Sequence, residues 1–471
     1  MIRFAAIGFS VSIIVYALMH YITYLYPSEP GLFILSLSGI LAVVFGFIYL
    51  PIKALPIPTF LLVIAMIIQL STGGSLLAFA VDGIVQMRSL IALLLIVPVI
   101  GWILKEENYI DAIMNVAHNF LNTSKKFYFG LMIVNQIIAY FLLFGAIPMM
   151  YQFINDFLRD KTSEAWEYFK GTALLRSFAL TTLWVISIPS FAFAVDHLHA
   201  SLGWTIVQGF FISLAGIGLS VLFASLKEKS YRVDITGELE SEIDRLVQHS
   251  NGNESNNRLI LEFAFLFVSL FSSIFILHIT MGWELLIIIP PMIVIWTCAY
   301  FLIKRRSARL LKQIKSYVGK EVKFKSQQFC LLLAAALLIY AVNESGIGSY
   351  IVDGMFLIEE YVPFLNILAI LPFTVILLGF IGLGPLTVIV LVAGILQHVS
   401  LPYPPELVVL AITSGSVISI VLSPIVLPII VLSASNRLSV IKNGFGFNLG
   451  FTIAFYFLVQ AYIQFMWYVV Y

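Results

Sequence analysis

The polar side chains of this chain that could do chemistry are mostly hydroxyls, amides and isolated acids set in long apolar stretches. Two stretches stand out as a pair. The first reads TALLRSFALTTLWVISIPSFAFAVDH and contains Thr181, Thr182, Ser187, Pro189 and Ser190. The second reads AITSGSVISIVLSPIVLPIIVLSASN and contains Thr413, Ser414, Ser416, Ser419, Ser423, Pro424 and Pro428. Proline lacks an N–H and clashes with the preceding turn, so each apolar helix should break there. Hydrocarbon tolerates broken backbone only where protein buries it or it lines a wet cavity. The freed N–H and C=O groups, with the hydroxyls named, can then replace the water around a small solute or ion. Half-helix N-termini favour anions, and exposed carbonyls favour Na⁺. The plainer reading is two kinked helices whose hydroxyls bond back to their own carbonyls.

Ionisable residues inside apolar stretches are functional candidates by default. Asp82 and Asp353 lead, because each follows a small-residue cluster in a similar context. They are expected to carry a coupling proton or contact Na⁺, or else to cap helices. Arg88 follows Asp82 by six residues and pairs with it or snorkels. Arg176 opens the first broken segment. It meets a carboxylate solute bidentately or, more simply, anchors at the inner interface. Asp196, His197 and His199 follow the Pro189 break as an outer-face proton site or a solvated helix end. Glu284 and Glu344 fall at span ends, and Asn135 and Gln136 sit mid-span, where amides bond between helices. Cys298 and Cys330 have no metal spacing and read as small buried hydrophobes. The sequence has no nucleotide loop, no H-E-x-x-H and no nucleophile elbow. It therefore points away from an enzyme, with no metal and no cofactor beyond a coupling Na⁺ or H⁺.

The elements that position these residues follow from composition. Of the 471 residues, 61% are hydrophobic and only 11% charged. The mean hydropathy is +1.01. A water-soluble fold, a disordered chain and a nucleic-acid binder are all excluded, the last because the net charge is only +1. A span needs about 20 apolar residues. Spans are predicted near 4–26, 31–51, 54–72, 88–104, 127–150, 171–200, 203–226, 259–280, 283–303, 326–343, 362–380, 383–400, 405–437 and 446–469. The segment 304–325 carries nine Lys or Arg and one Glu, which makes it cytoplasmic by the positive-inside rule. It is a solvated loop or a surface helix that attracts anionic lipid. Threading from there puts both termini outside, with Arg3, Lys53, Lys105, Lys125 and Lys126 as the basic residues left outside.

A polar linker at 227–258 divides the chain into halves, 1–226 and 259–471, and three matches recur in order. Val81-Asp82-Gly83 pairs with Val352-Asp353-Gly354. Gly145-Ala-Ile-Pro148 pairs with Gly382-Leu-Gly-Pro385. The stretch from Thr181 to Pro189 pairs with Val417 to Pro424. The offsets imply an insertion in the first half, for which 88–104 and the amphipathic 108–122 account. The sequence thus predicts an all-α polytopic membrane protein. It would have about 12–15 transmembrane segments in two inverted-topology repeats, with paired broken helices or re-entrant hairpins.

Gly382-Leu-Gly-Pro385, the run to Ser423-Pro424 and their first-half counterparts resemble the ion transporter superfamily. That group includes divalent-anion/sodium symporters, arsenite exporters and sodium/proton antiporters. The resemblance implies a re-entrant hairpin and a broken helix in each half, a cytoplasmic linker, a homodimer and elevator-like movement. The Ser-Asn-Thr signature of the sodium/dicarboxylate branch is replaced here by Ser187-Ile-Pro189 and Ser423-Pro424. The expected function is a secondary active transporter of a small anionic solute, coupled to Na⁺ or H⁺, in the plasma membrane. Thr181, Thr182, Ser187, Pro189, Ser190, Thr413, Ser414, Ser416, Ser423 and Pro424 would bind the solute, and Asp82 and Asp353 would couple the ion. The partners expected are the solute and membrane lipid, and not nucleic acid. A cation/proton antiporter is one alternative. A membrane factor that handles lipid or envelope precursors without ion coupling is the other.

Overall fold

The computed structural model describes residues 2–107, 109, 112–113, 123–158, 161–239, 253–362 and 365–471. Among them every regular element is helical. Helices α1 (Ile2–Leu25) and α2 (Glu29–Tyr49) pack as a hairpin. Ser28 caps α2 by accepting from the Gly31 N–H. Next come α3 (Pro56–Ser71), α4 (Leu76–Val85) and α5 (Arg88–Ile96), which tightens over Val97–Ile100 and regains a helical turn at Gly101–Leu104. Then follow α6 (Ser124–Leu142), α7 (Ala146–Phe157), α8 (Glu164–Thr181), α9 (Pro189–His197) and α10 (Leu202–Tyr231). Beyond the linker lie α11 (Asn253–Met281), α12 (Leu285–Ile303), α13 (Ser307–Ser316), α14 (Ser326–Ser345) and α15 (Ile347–Tyr361). The chain closes with α16 (Ile367–Ile381), α17 (Pro385–Leu396), α18 (Pro405–Leu422), α19 (Leu427–Asn436) and α20 (Phe447–Phe465).

Burial sorts these helices. Every residue of α8 from Ala165 to Thr181, and of α18 from Leu407 to Leu422, is buried. The outer helices present large bare apolar faces, with Leu261 71% and Phe265 70% exposed on α11. Such faces are stable only against lipid. Ten helical stretches among the described residues are long and apolar enough to cross a bilayer. The chain is therefore a multi-pass α-helical membrane protein with α8 and α18 at its centre.

The order hairpin, broken helix, long helix occurs twice, as α6 to α10 and as α16 to α20. The backbone marks the match. Leu143 (φ 52°) turns α6 into α7, and Gly382 (φ 106°) turns α16 into α17. This puts the first turn two residues before the Gly145 expected from the sequence match, since Gly145 has φ −64°. Earlier in each half, Gly73 (φ 68°) and Gly346 (φ 71°) precede the helices that carry Asp82 and Asp353. Between α4 and α6 stands α5 with its following turns, and among the described residues no helix occupies the place between α15 and α16. Most of 108–122 lies outside the described residues.

The segment 127–150 is a hairpin and not the span expected. Tyr128, near the start of α6, bonds Thr172 on α8 at 2.9 Å. Asn155, near the end of α7, accepts from Lys170 on the same helix at 2.6 Å. Both arms thus end beside the start of α8. Likewise 362–380 and 383–400 are the two arms of one hairpin, α16–α17. At its open end Asn366 bonds Gln464 while Tyr403, just past α17, packs on Trp467. The two hairpins open toward opposite ends of α10: Tyr231 bonds Glu164, and Ser201 bonds Glu406. The sequence also missed α4 and α15, which are too short to register as spans.

These contacts overturn the external N-terminus. Tyr24 at the end of α1 packs on Trp283 in the turn between α11 and α12, and Phe9 packs on Phe329 at the start of α14. Arg3 therefore lies at the basic end of the bundle, with 304–325. The linker expected at 227–258 is entered by helix from both sides, up to Tyr231 and from Asn253.

Candidate functional site

The centre of the bundle is the contact of α8 with α18, each of which ends at a break before a short continuing helix. After Thr181 the chain runs through tight turns and restarts at Pro189, whose missing N–H suits the first helical position. After Leu422 the chain restarts at Leu427, with Pro428 in the first turn of α19. Packing across the crossing is reciprocal: α9 lies on α17, and α19 lies on α7. Each break therefore sets a helix C-terminus and a new helix N-terminus inside protein, with the restarted helix against the second hairpin arm of the other half.

The serines at the breaks have equivalent partners. Ser187 donates to the Tyr140 carbonyl at 2.7 Å, and Ser423 donates to the Gly379 carbonyl at 3.1 Å. Tyr140 stands three residues before Leu143, and Gly379 three before Gly382. The positive-φ turn carries the chain off the helix, and the serine bonds a carbonyl of the last turn. Each hydroxyl thus pins a hairpin tip to its own break.

The other hydroxyls divide in two. Thr181, Thr182, Thr413 and Ser414 donate to Phe178, Ala179, Val409 and Ala411 of their own helices. Ser416 and Ser419 are buried on α18 without a partner among the described residues. Ser190 is buried on α9 beside Pro189, and Pro424 lies in the second break. Asn135 donates to Ser177 and Gln136 to Ser213, the interhelical amide bonds expected of them.

Arg176 is not an interface anchor. It is fully buried on α8. Its guanidinium donates to Asn448 (2.7 Å), Ser220 (3.1 Å), Tyr168 (3.1 Å) and the Phe447 carbonyl (3.0 Å), and lies 4.4 Å from the Phe451 ring centre. All four acceptors are neutral, and no carboxylate pairs with it among the described residues. One and a half turns away, buried Lys170 pairs with Glu167 at 2.7 Å. The Lys170–Glu167 pair lies just outside the expected span, which began at residue 171.

At the opposite end of the bundle a polar cavity of about 240 Å³ is lined by Asp82, Arg88, Asp196, His197, His199 and Glu284, among others. Asp196 accepts from the Leu285 and Leu286 N–H groups, at 3.1 and 2.9 Å. It thereby caps α12 from the tip of α9, a bond between distant elements that no local pattern signals. Asp82 is exposed at the rim. Asp353 is exposed on α15 and does not line this cavity. Neither caps its helix, since Ser75 caps α4 and the turn at Gly346 precedes α15. No metal-holding group of His, Cys, Asp or Glu occurs among the described residues.

These features belong to a multi-pass membrane protein with two interrupted helices crossing at its centre. No family model matches the sequence, and no curated protein matches it.

Proposed function

We propose that the protein is a secondary active transporter of a small anionic solute, with α6–α10 and α16–α20 as inverted repeats about the crossing. The observation that carries the reading is the matched pair of breaks, each pinned to its own hairpin and packed on the other half's. Interrupted helices buried at matching places of two oppositely directed halves are the architecture in which solute sites form near the midplane. Anion preference is supported by the two half-helix N-termini at the breaks and by Arg176, whose charge no carboxylate offsets among the described residues. The polar cavity is the outward approach, and Asp82 at its rim is the coupling acid. The basic 304–325 segment faces the cytoplasm of the plasma membrane.

Purified protein in proteoliposomes, on a solid-supported membrane, tests this. A panel of small carboxylates and inorganic oxyanions is applied under imposed Na⁺ or H⁺ gradients. At least one anion should give a current or flux that collapses with the gradient. Flux that ignores both gradients would favour the reading in which the protein handles lipid without ion coupling.

A further inference from the structure

Helix α5 is a third interrupted helix, and its break is held differently from the other two. Pro98 has no N–H to give to the Leu94 carbonyl four residues back, so the helix tightens over Val97–Ile100 before it regains a turn at Gly101–Leu104. A carbonyl freed at membrane depth needs another donor. Donors arrive from the basic segment between α13 and α14. The Lys325 ammonium donates to the Leu94 carbonyl at 3.1 Å, and the Tyr317 hydroxyl donates to the Leu95 carbonyl. The Tyr317 ring also packs edge-on against Trp102, just past the break. One π turn over Tyr317–Glu321 makes this reach possible. Tyr317 and Val322 stand five residues apart and would diverge on an α-helix, yet both are buried, at 5% and 0% exposure. Such turns are frequent at functional sites.

The far side of the break meets the tip of the first hairpin. Gly101 lies so close to it that a Cβ there would stand 2.7 Å from the Leu142 side chain and 3.3 Å from the Phe141 carbonyl. Leu143 turns this tip, and the neighbouring Tyr140 carbonyl accepts from Ser187 at the first break. Contacts therefore run without a gap from Tyr317 and Lys325, through the α5 break and Gly101, to the hairpin tip and Ser187. The second hairpin has no such support. Among the described residues no helix stands between α15 and α16, and the tip at Gly382 lies against the Ile57 side chain of α3.

We propose that Tyr317 and Lys325 are positioning residues for the first hairpin. They brace the α5 break on which its tip rests, and their release frees that tip to move when the pathway opens to the inside. The gating role rests on the transport reading, whereas the brace does not.

Hydrogen–deuterium exchange of the full chain in micelles, followed by mass spectrometry, tests the brace without solute or gradient. Tyr317→Phe removes one hydroxyl and keeps the ring against Trp102. Lys325→Met removes the ammonium and keeps the stem. Each should speed exchange about tenfold in peptides covering 94–104 and 139–146 and leave 376–386, at the second hairpin tip, at the wild-type rate. A general loss of stability would speed all three alike. Wild-type exchange at 139–146 in both variants would overturn the proposal, and so would acceleration shared equally by 376–386. Selective exchange in a protein that moves no anion would overturn the gate and not the brace.

Discussion

Ser187→Ala and Ser423→Ala each delete one hydroxyl and leave the carbonyl of Tyr140 or Gly379 without that donor. Both serines are buried, at 1% and 0% exposure, so water does not take their place. Interhelical side-chain bonds in membrane proteins average only ~0.6 kcal/mol. A buried carbonyl left unpaired costs more, about 1–3 kcal/mol. Between these limits we expect each substitution to destabilise by about 1–2 kcal/mol. Ser414→Ala is the internal control. Its hydroxyl is as buried but donates to Ala411 of its own helix, whose carbonyl sits in an intact helical ladder. That change should stay within about 0.5 kcal/mol. The assay is unfolding in mixed micelles by titration with dodecyl sulfate, followed by far-ultraviolet circular dichroism. Solute affinity should fall with the Ser187 and Ser423 changes and hold with Ser414. Ser187→Ala and Ser423→Ala unfolding like the wild type, or Ser414→Ala costing as much as they do, would refute the pinning of hairpins to breaks.

Asp82→Asn should abolish gradient-driven uptake while exchange of bound solute survives, and Asp353→Asn should leave both intact, because of the two only Asp82 lines the polar cavity; parallel uptake and exchange assays in proteoliposomes check this. Burial pushes the Lys325 ammonium down to about 8 from its ordinary 10.5. The unfolded chain then binds more protons between pH 8 and 10.5, so stability should rise with pH across that window and be flat below it. Thermal unfolding at pH 7.5 and 9.5 should show the rise in the wild type and lose it in Lys325→Met. Single cysteines at Lys53 and Lys315, in a background lacking Cys298 and Cys330, should resist an impermeant thiol reagent added to intact cells, whereas one at Ser349 should react. Labelling at Lys53 would restore the external placement of that loop.

The breaks were legible because proline announces itself. Pro189 and Pro428 stand in the first turns of the restarted helices. Asn135 and Gln136 were legible because an amide inside an apolar run has few outlets other than another helix. The hairpin tip was not. Leu143 takes a positive φ without the glycine that usually marks one, and the glycine two residues on drew the match instead. Arg176 was hidden for a different reason. Its acceptors on α10 and α20, including Asn448, are tens to hundreds of residues away in the chain, so nothing local separates a buried guanidinium from one that snorkels. The capping of α12 by Asp196 is invisible on the same ground.

One misread hairpin accounts for the whole error in the charge map. Hydropathy reports that a segment is apolar, not that it crosses. The apolar stretch Ser124–Asp156 is 33 residues long and returns to the end it left. Counting it as a crossing inverts every segment before it. Restoring the hairpin leaves α8 and everything after it in place, and turns over α1 to α5. The cations that the threading left outside, Arg3, Lys53, Lys105, Lys125 and Lys126, all lie before or at the base of this hairpin. All five therefore move together to the basic end. The contacts of Tyr24 with Trp283 and of Phe9 with Phe329 require the same inversion without reference to charge. With the hairpin restored these cations gather at one end of the bundle, and the five exceptions marked the place where the chain turns back.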